Sequence, residues 1–126
     1  MFTFSNLQVF YHCVYHFVFI LGKYIFIESS APRLENETAQ IQSAPITLYG
    51  TNPICLNFWY NMYGSSIGEL NVYLKNEHDS ATPMLKVWSL HGNQGQGWHA
   101  AKVPVTSSNT FRVCFISYYK INDLHI

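Results

Sequence analysis

Residues 55–75 constrain the fold of this chain more than any other segment, because their apolar side chains alternate with polar ones on both sides of a glycine-serine turn. The apolar rows are Leu56, Phe58, Tyr60 and Met62 before the turn and Leu70, Val72 and Leu74 after it. This period of two predicts two β-strands, which we interpret as a hairpin with one apolar face. An isolated hairpin is only marginally stable in water, so a second sheet must cover that face.

The rest of the chain repeats this pattern in shorter segments. Alternation predicts strands over residues 22–30, 38–42, 84–90, 98–105 and 110–117, with polar, proline- or glycine-containing loops between them. No segment combines a 3.6-residue apolar period with helix caps, so we expect little helix. Several short strands separated by turn signals indicate an all-β protein with a two-layer sandwich.

The composition limits the classes of function. A chain of 126 residues suits one domain with one core. Charged residues are only 11% of the chain, and seven basic side chains balance seven acidic ones. There is therefore no basic field to hold nucleic acid or an anionic membrane surface, and any binding must be local and based on shape.

Three groups of residues carry candidate chemistry, and each favours a structural interpretation. His12 and His16 have the i, i+4 spacing of a helical zinc site, but in a strand they lie about 13 Å apart. The glycines at 92, 95 and 97 lack the following helix and lysine of a phosphate-binding loop, so we interpret them as a turn. Nothing in their spacing brings the carboxylates together, namely those of Glu28, Glu35, Glu37, Glu69, Glu77, Asp79 and Asp123. We expect no catalytic residue, no metal site and no cofactor.

The three tryptophans admit two interpretations. Tryptophans in a sandwich mostly belong to the core, and Trp88 and Trp98 fit that role. Trp59 shares the strand phase of Cys55 and lies opposite to Phe58. It therefore either packs under a covering loop or faces outward as part of a protein interface.

Residues 55–65 followed by 68–74 resemble the central signature of the MAM domain, an extracellular module of meprins, neuropilins and receptor tyrosine phosphatases. Three further blocks resemble the same family in order. They are residues 24–30 with 38–43, residues 87–95 with Trp98, and residues 103–105 with 111–113. Ordered blocks over residues 22–115 are more specific than any single motif.

The resemblance implies a jelly roll of two antiparallel sheets. It also implies a non-enzymatic protein-recognition module for cell adhesion or receptor dimerisation, exposed on the cell surface or secreted. Its partner would be a protein, with a homophilic dimer as one form, and membrane association would come only through the parent protein. Two alternatives are a carbohydrate-binding jelly roll, which needs exposed tryptophans beside Asn and Gln side chains, and an accessory domain of a meprin-like metalloprotease.

Cys13, Cys55 and Cys114 make an odd count, so at least one thiol is free or pairs with another chain. The resemblance implies an oxidising compartment in which Cys55 is the disulfide candidate. In the family its usual partner lies near the C-terminal end of the domain. No cysteine follows Cys114, which stands where the family has a buried apolar residue, so we expect Cys55 to lack that partner.

Both ends of the chain depart from the family pattern. Residues 1–21 are uncharged and aromatic, whereas residues 22–126 form the MAM-like domain, incomplete at its end because the loop before the last strand is absent. The first segment is either foreign to the domain, an alternative N-terminal β-strand, or a signal peptide or anchor, although it lacks a basic start and a cleavage site. Asn36 begins the sequon Asn36-Glu37-Thr38 in a polar loop and is the expected glycosylation site.

Overall fold

The computed structural model describes residues 2–10, 25–27, 37–50 and 52–118. Its regular elements are β1 (Phe2–Phe10), β2 (Ile25–Ile27), β3 (Thr38–Gln42), β4 (Ile54–Met62), β5 (Glu69–Asn76), β6 (Leu85–His91), β7 (His99–Val105) and β8 (Phe111–Tyr118). Within these described ranges there is no helix that could cross a membrane. The predicted strands are confirmed wherever the structure describes them.

The strands form two four-stranded sheets. Sheet A has the order β2-β1-β4-β7, and sheet B has the order β3-β8-β5-β6. Neighbouring strands are antiparallel throughout both sheets. The predicted jelly-roll sandwich of two antiparallel sheets is therefore confirmed.

The central pair of strands does not form the predicted hairpin. β4 pairs with β1 and β7 in sheet A, while β5 pairs with β6 and β8 in sheet B. Residues 63–68 carry the chain from one sheet to the other. The two apolar rows do face each other, but they do so across the sandwich. Alternation cannot separate these arrangements, because strands that pair side by side and strands that stack both turn one face to the core.

The core lies between the two sheets and is fixed by aromatic contacts that cross it. Phe58 of β4 meets Trp88 of β6 and Phe115 of β8 edge to face, with ring centroids 5.2 and 5.1 Å apart and interplanar angles of 89° and 87°. Such edge-to-face pairs are the favoured aromatic geometry. The remaining fully buried apolar side chains are Ile54, Leu56, Met62, Leu70, Val72, Phe111 and Val113.

β6 departs from the alternation that its sequence predicts. Leu85 is 60% exposed, whereas Val87, Trp88 and Leu90 all pack against the core. The pairing of β5 with β6 shifts register between Val72 and Tyr73. An irregularity of this kind lets two successive side chains of one strand turn to the same side.

The N-terminal segment contains a strand of sheet A. β1 pairs with both β2 and β4, so for residues 2–10 the structure supports the interpretation as a β-strand. The possible zinc ligands His12 and His16, the sequon residue Asn36 and residues 119–126 lie outside the described residues. Those expectations, and the division of the chain at residue 22, stay predictions.

Candidate recognition surface

The outer side of β4 and β7 carries the most distinctive exposed surface of the described chain. Along β7 the inward side chains Ala101, Val103 and Val105 are buried, and the alternate ones point to solvent. Register places Trp59 opposite Ala100 and Asn57 opposite Lys102. We call this surface the β4–β7 face; it comprises Asn57, Trp59, Asn61, Trp98, Ala100 and Lys102.

Two tryptophans stand out on the β4–β7 face. Trp59 is 40% exposed and Trp98 is 41% exposed. Trp98 directly precedes β7 on the alternation phase of Ala100, so it lies diagonally from Trp59 across the strand pair. The methyl group of Ala100 occupies little space beside the Trp59 ring. The outward phase predicted for Trp59 is confirmed, and its interpretation as a core residue is wrong.

The three tryptophans differ in their surroundings. Trp88 is half-buried against the core, as expected. Trp98 was expected in the core and is instead exposed. It follows a glycine-rich connector, where Gly92 and Gly95 adopt φ values of 77° and 84° that favour glycine. Alternation cannot be followed through such a turn, so it does not show on which face of β7 the next residue lies. Counting back from Ala100 would have assigned Trp98 to the outer face.

The carboxylates of the described strands and loops serve structural contacts. Arg112 binds Glu77 through Nε and Nη2, the latter 2.9 Å from Oε1, and this hydrogen-bonded ion pair lowers the pKa of Glu77. Glu69 lies 3.7 Å from Lys86 Nζ. The Thr82 hydroxyl donates a hydrogen bond to Asp79 and is the main cause of its lowered pKa, and the backbone N–H groups of Ala81 and Thr82 also donate to this carboxylate. Across the described part of the chain, no group of three His, Cys, Asp or Glu side chains is placed to hold a metal.

Similarity to known proteins shows the family of this chain. The model of the MAM domain (meprin/A5/mu) matches residues 19–124. The chain belongs to the MAM domain family.

Individual relatives agree with this assignment. MAM domain-containing glycosylphosphatidylinositol anchor protein 2 of Homo sapiens is 39% identical over 101 residues, which is 75% of this chain and 10% of that protein. Anchor protein 1 of Gallus gallus is 37% identical over 94 residues, 75% of this chain and 10% of the relative. Neuropilin-1a of Danio rerio is 30% identical over 88 residues, 70% of this chain and 9% of its own length. The MAM domain thus spans about a tenth of the relatives it matches.

The cysteines of this MAM domain behave differently from one another. Cys55 is disulfide-bonded. Cys114 is a free thiol and fully buried, and burial raises its pKa. Its position on β8 therefore suits the apolar residue that the family places there.

Proposed function

We propose that this MAM domain is a non-enzymatic, extracellular protein-recognition module that serves adhesion or receptor dimerisation within a larger cell-surface or secreted protein. Its relatives support this role, because their names describe glycosylphosphatidylinositol anchor proteins and a neuropilin. The exposed tryptophans of the β4–β7 face carry the proposal. Secretion would also make Asn36 available for glycosylation.

The chemistry of the β4–β7 face suits a protein partner. Tryptophan is enriched among the residues that dominate protein interfaces, because it buries a large area with few rotatable bonds. Asn57 and Lys102 lie beside the aromatic pair and supply polar groups of the kind found at an interface rim. The formal net charge of the chain is zero, so affinity would come from shape and desolvation more than from long-range attraction.

Loss of the Trp59 ring is the direct test. We expect Trp59→Ala to weaken binding of the multimerised domain to cell surfaces at least about tenfold, in line with the loss of a central aromatic anchor. Tyr49→Ala is the matched control, because Tyr49 is an aromatic side chain 85% exposed outside the β4–β7 face. Trypsin treatment of the cells should abolish binding of the unmodified domain. Equal binding by both variants would refute the role of this face.

Carbohydrate binding is the second candidate, and the exposure of Trp59 and Trp98 is the observation that favours it. Exposed indole rings next to the amide of Asn57 offer a stacking surface with a hydrogen-bonding group alongside. An array of immobilised glycans separates the two functions. Binding to a defined glycan that Trp59→Ala abolishes, together with cell binding that survives trypsin, would replace the protein-recognition proposal.

A further inference from the structure

Strand β3 is an end strand of sheet B in the described part of the chain. It pairs with β8 over all five of its residues without a register shift. Among the described residues, no strand pairs with its other side. A free edge presents unpaired backbone groups that can template pairing with another chain, so proteins usually protect such edges.

The other end strands of the two sheets in the described chain are β2, β6 and β7, and each carries a protective feature that β3 lacks. β2 is only three residues long, and very short edge strands offer little backbone for pairing. β6 contains Lys86 and the register shift against β5. β7 contains Pro104, which has no N–H, and an exposed Lys102. Charged side chains, irregular pairing and proline are all devices that discourage edge pairing. β3, with the sequence Thr-Ala-Gln-Ile-Gln, has no charge, no proline and no irregularity.

The hydrogen bonds between β3 and β8 show in which direction the backbone groups of β3 point. The N–H of Ser43, directly after β3, donates to the carbonyl of Val113 at 2.9 Å. Successive residues of a strand direct their backbone groups to opposite sides. The backbone N–H and C=O groups of Thr38, Gln40 and Gln42 therefore point toward the open edge.

The sequence of β3 is complementary to itself. If two copies align antiparallel about Gln40, then Thr38 lies opposite Gln42 and the small Ala39 lies opposite the larger Ile41. Gln40 then lies opposite its own symmetry mate, and a glutamine amide can both donate to and accept from another one. Ala39 and Ile41 are only half-buried in the single chain, so each has surface left to cover. No like charges meet in this register.

We propose that a second copy of this MAM domain docks along β3, antiparallel and with two-fold symmetry, to form one continuous eight-stranded sheet. Residues 38, 40 and 42 would each exchange two backbone hydrogen bonds with the residue opposite. The interface is isologous, so it closes at a dimer and does not propagate. This inference does not rest on the β4–β7 face, and Trp59→Ala should dimerise like the parent.

Charge exchange at the symmetry centre tests the proposal. The parent is the full chain with Asn36→Gln, which removes glycan heterogeneity near β3. Sedimentation equilibrium over about a hundredfold concentration range should show a monomer–dimer equilibrium. Gln40→Lys alone and Gln40→Glu alone should be monomeric, because each places like charges opposite one another. An equimolar mixture of the two should dimerise again.

Ser89→Lys is the matched control, since it adds the same charge on β6, the opposite edge of sheet B. It should dimerise like the parent, and far-ultraviolet circular dichroism should show the same strand content for all variants. Three results would overturn the proposal: a parent that stays monomeric throughout, a Gln40→Lys variant that dimerises as the parent does, or a mixture of the two charged variants that stays monomeric.

Discussion

Replacing Phe58 by alanine should remove two of the aromatic contacts that join the two sheets. The side chain is 1% exposed, and its ring meets Trp88 and Phe115 from two different strands of sheet B. A buried Phe→Ala change costs about 3–5 kcal/mol through lost burial and the cavity left behind, and each edge-to-face pair is worth about 0.5–1.5 kcal/mol. We expect a loss near the top of the first range, about 4–5 kcal/mol. This is a large part of the 5–15 kcal/mol that stabilises a typical domain.

Urea unfolding followed by tryptophan fluorescence measures this loss. With a slope of about 2 kcal/mol/M, the midpoint should fall by about 2 M. Trp59→Ala, one residue along the same strand, is the control. It should lower the free energy of unfolding by less than half as much, because removal of a partly exposed side chain leaves no enclosed cavity. If Phe58→Ala does not fold, Phe58→Leu should still lower the midpoint measurably. Equal costs at positions 58 and 59, or a larger cost at 59, would refute the assignment of the inner face of β4.

Three further predictions follow from the described contacts. Arg112 lowers the pKa of Glu77 below its usual 4.5, so the advantage of the unmodified chain over Glu77→Gln should be present above about pH 4.5 and shrink as the pH falls through the folded-state pKa; urea midpoints at about pH 7 and pH 3 measure it, and an unchanged difference would contradict it. Cys114 is buried and its pKa is raised, so a thiol reagent should label it only after unfolding; rapid labelling of the native domain would show otherwise. A glycan on Asn36, two residues before β3, should weaken the β3 dimer relative to Asn36→Gln in sedimentation, and a tighter glycosylated dimer would speak against β3 as the interface.

The sequence predicted the strands well because most of them have one buried face. β7 illustrates this, since its inward Ala101, Val103 and Val105 are buried while Lys102 between them is exposed. Trp59 was likewise assigned to the outward phase from its neighbours alone. A period of two reports which side of a strand is covered, and this information is local.

What the sequence did not predict depends on contacts between distant segments. The pairing partners of β4 and β5 were wrong, because the same apolar rows fit a hairpin and a pair of stacked strands equally well. Val87 and Trp88 both reach the core only because the register shifts against β5. Which cysteine pairs with Cys55 also depends on the fold, which decides what lies near it. The alternation of apolar residues gives no information about strand partners, register shifts or cysteine pairing.

Nuclear Overhauser effects between backbone protons test the central claim most directly, since recognition by the outer faces requires β4 and β5 to lie in opposite sheets. We expect cross-strand contacts between Phe58 and Ala101 in sheet A and between Val72 and Phe115 in sheet B. A ladder of backbone contacts joining β4 directly to β5 would contradict it.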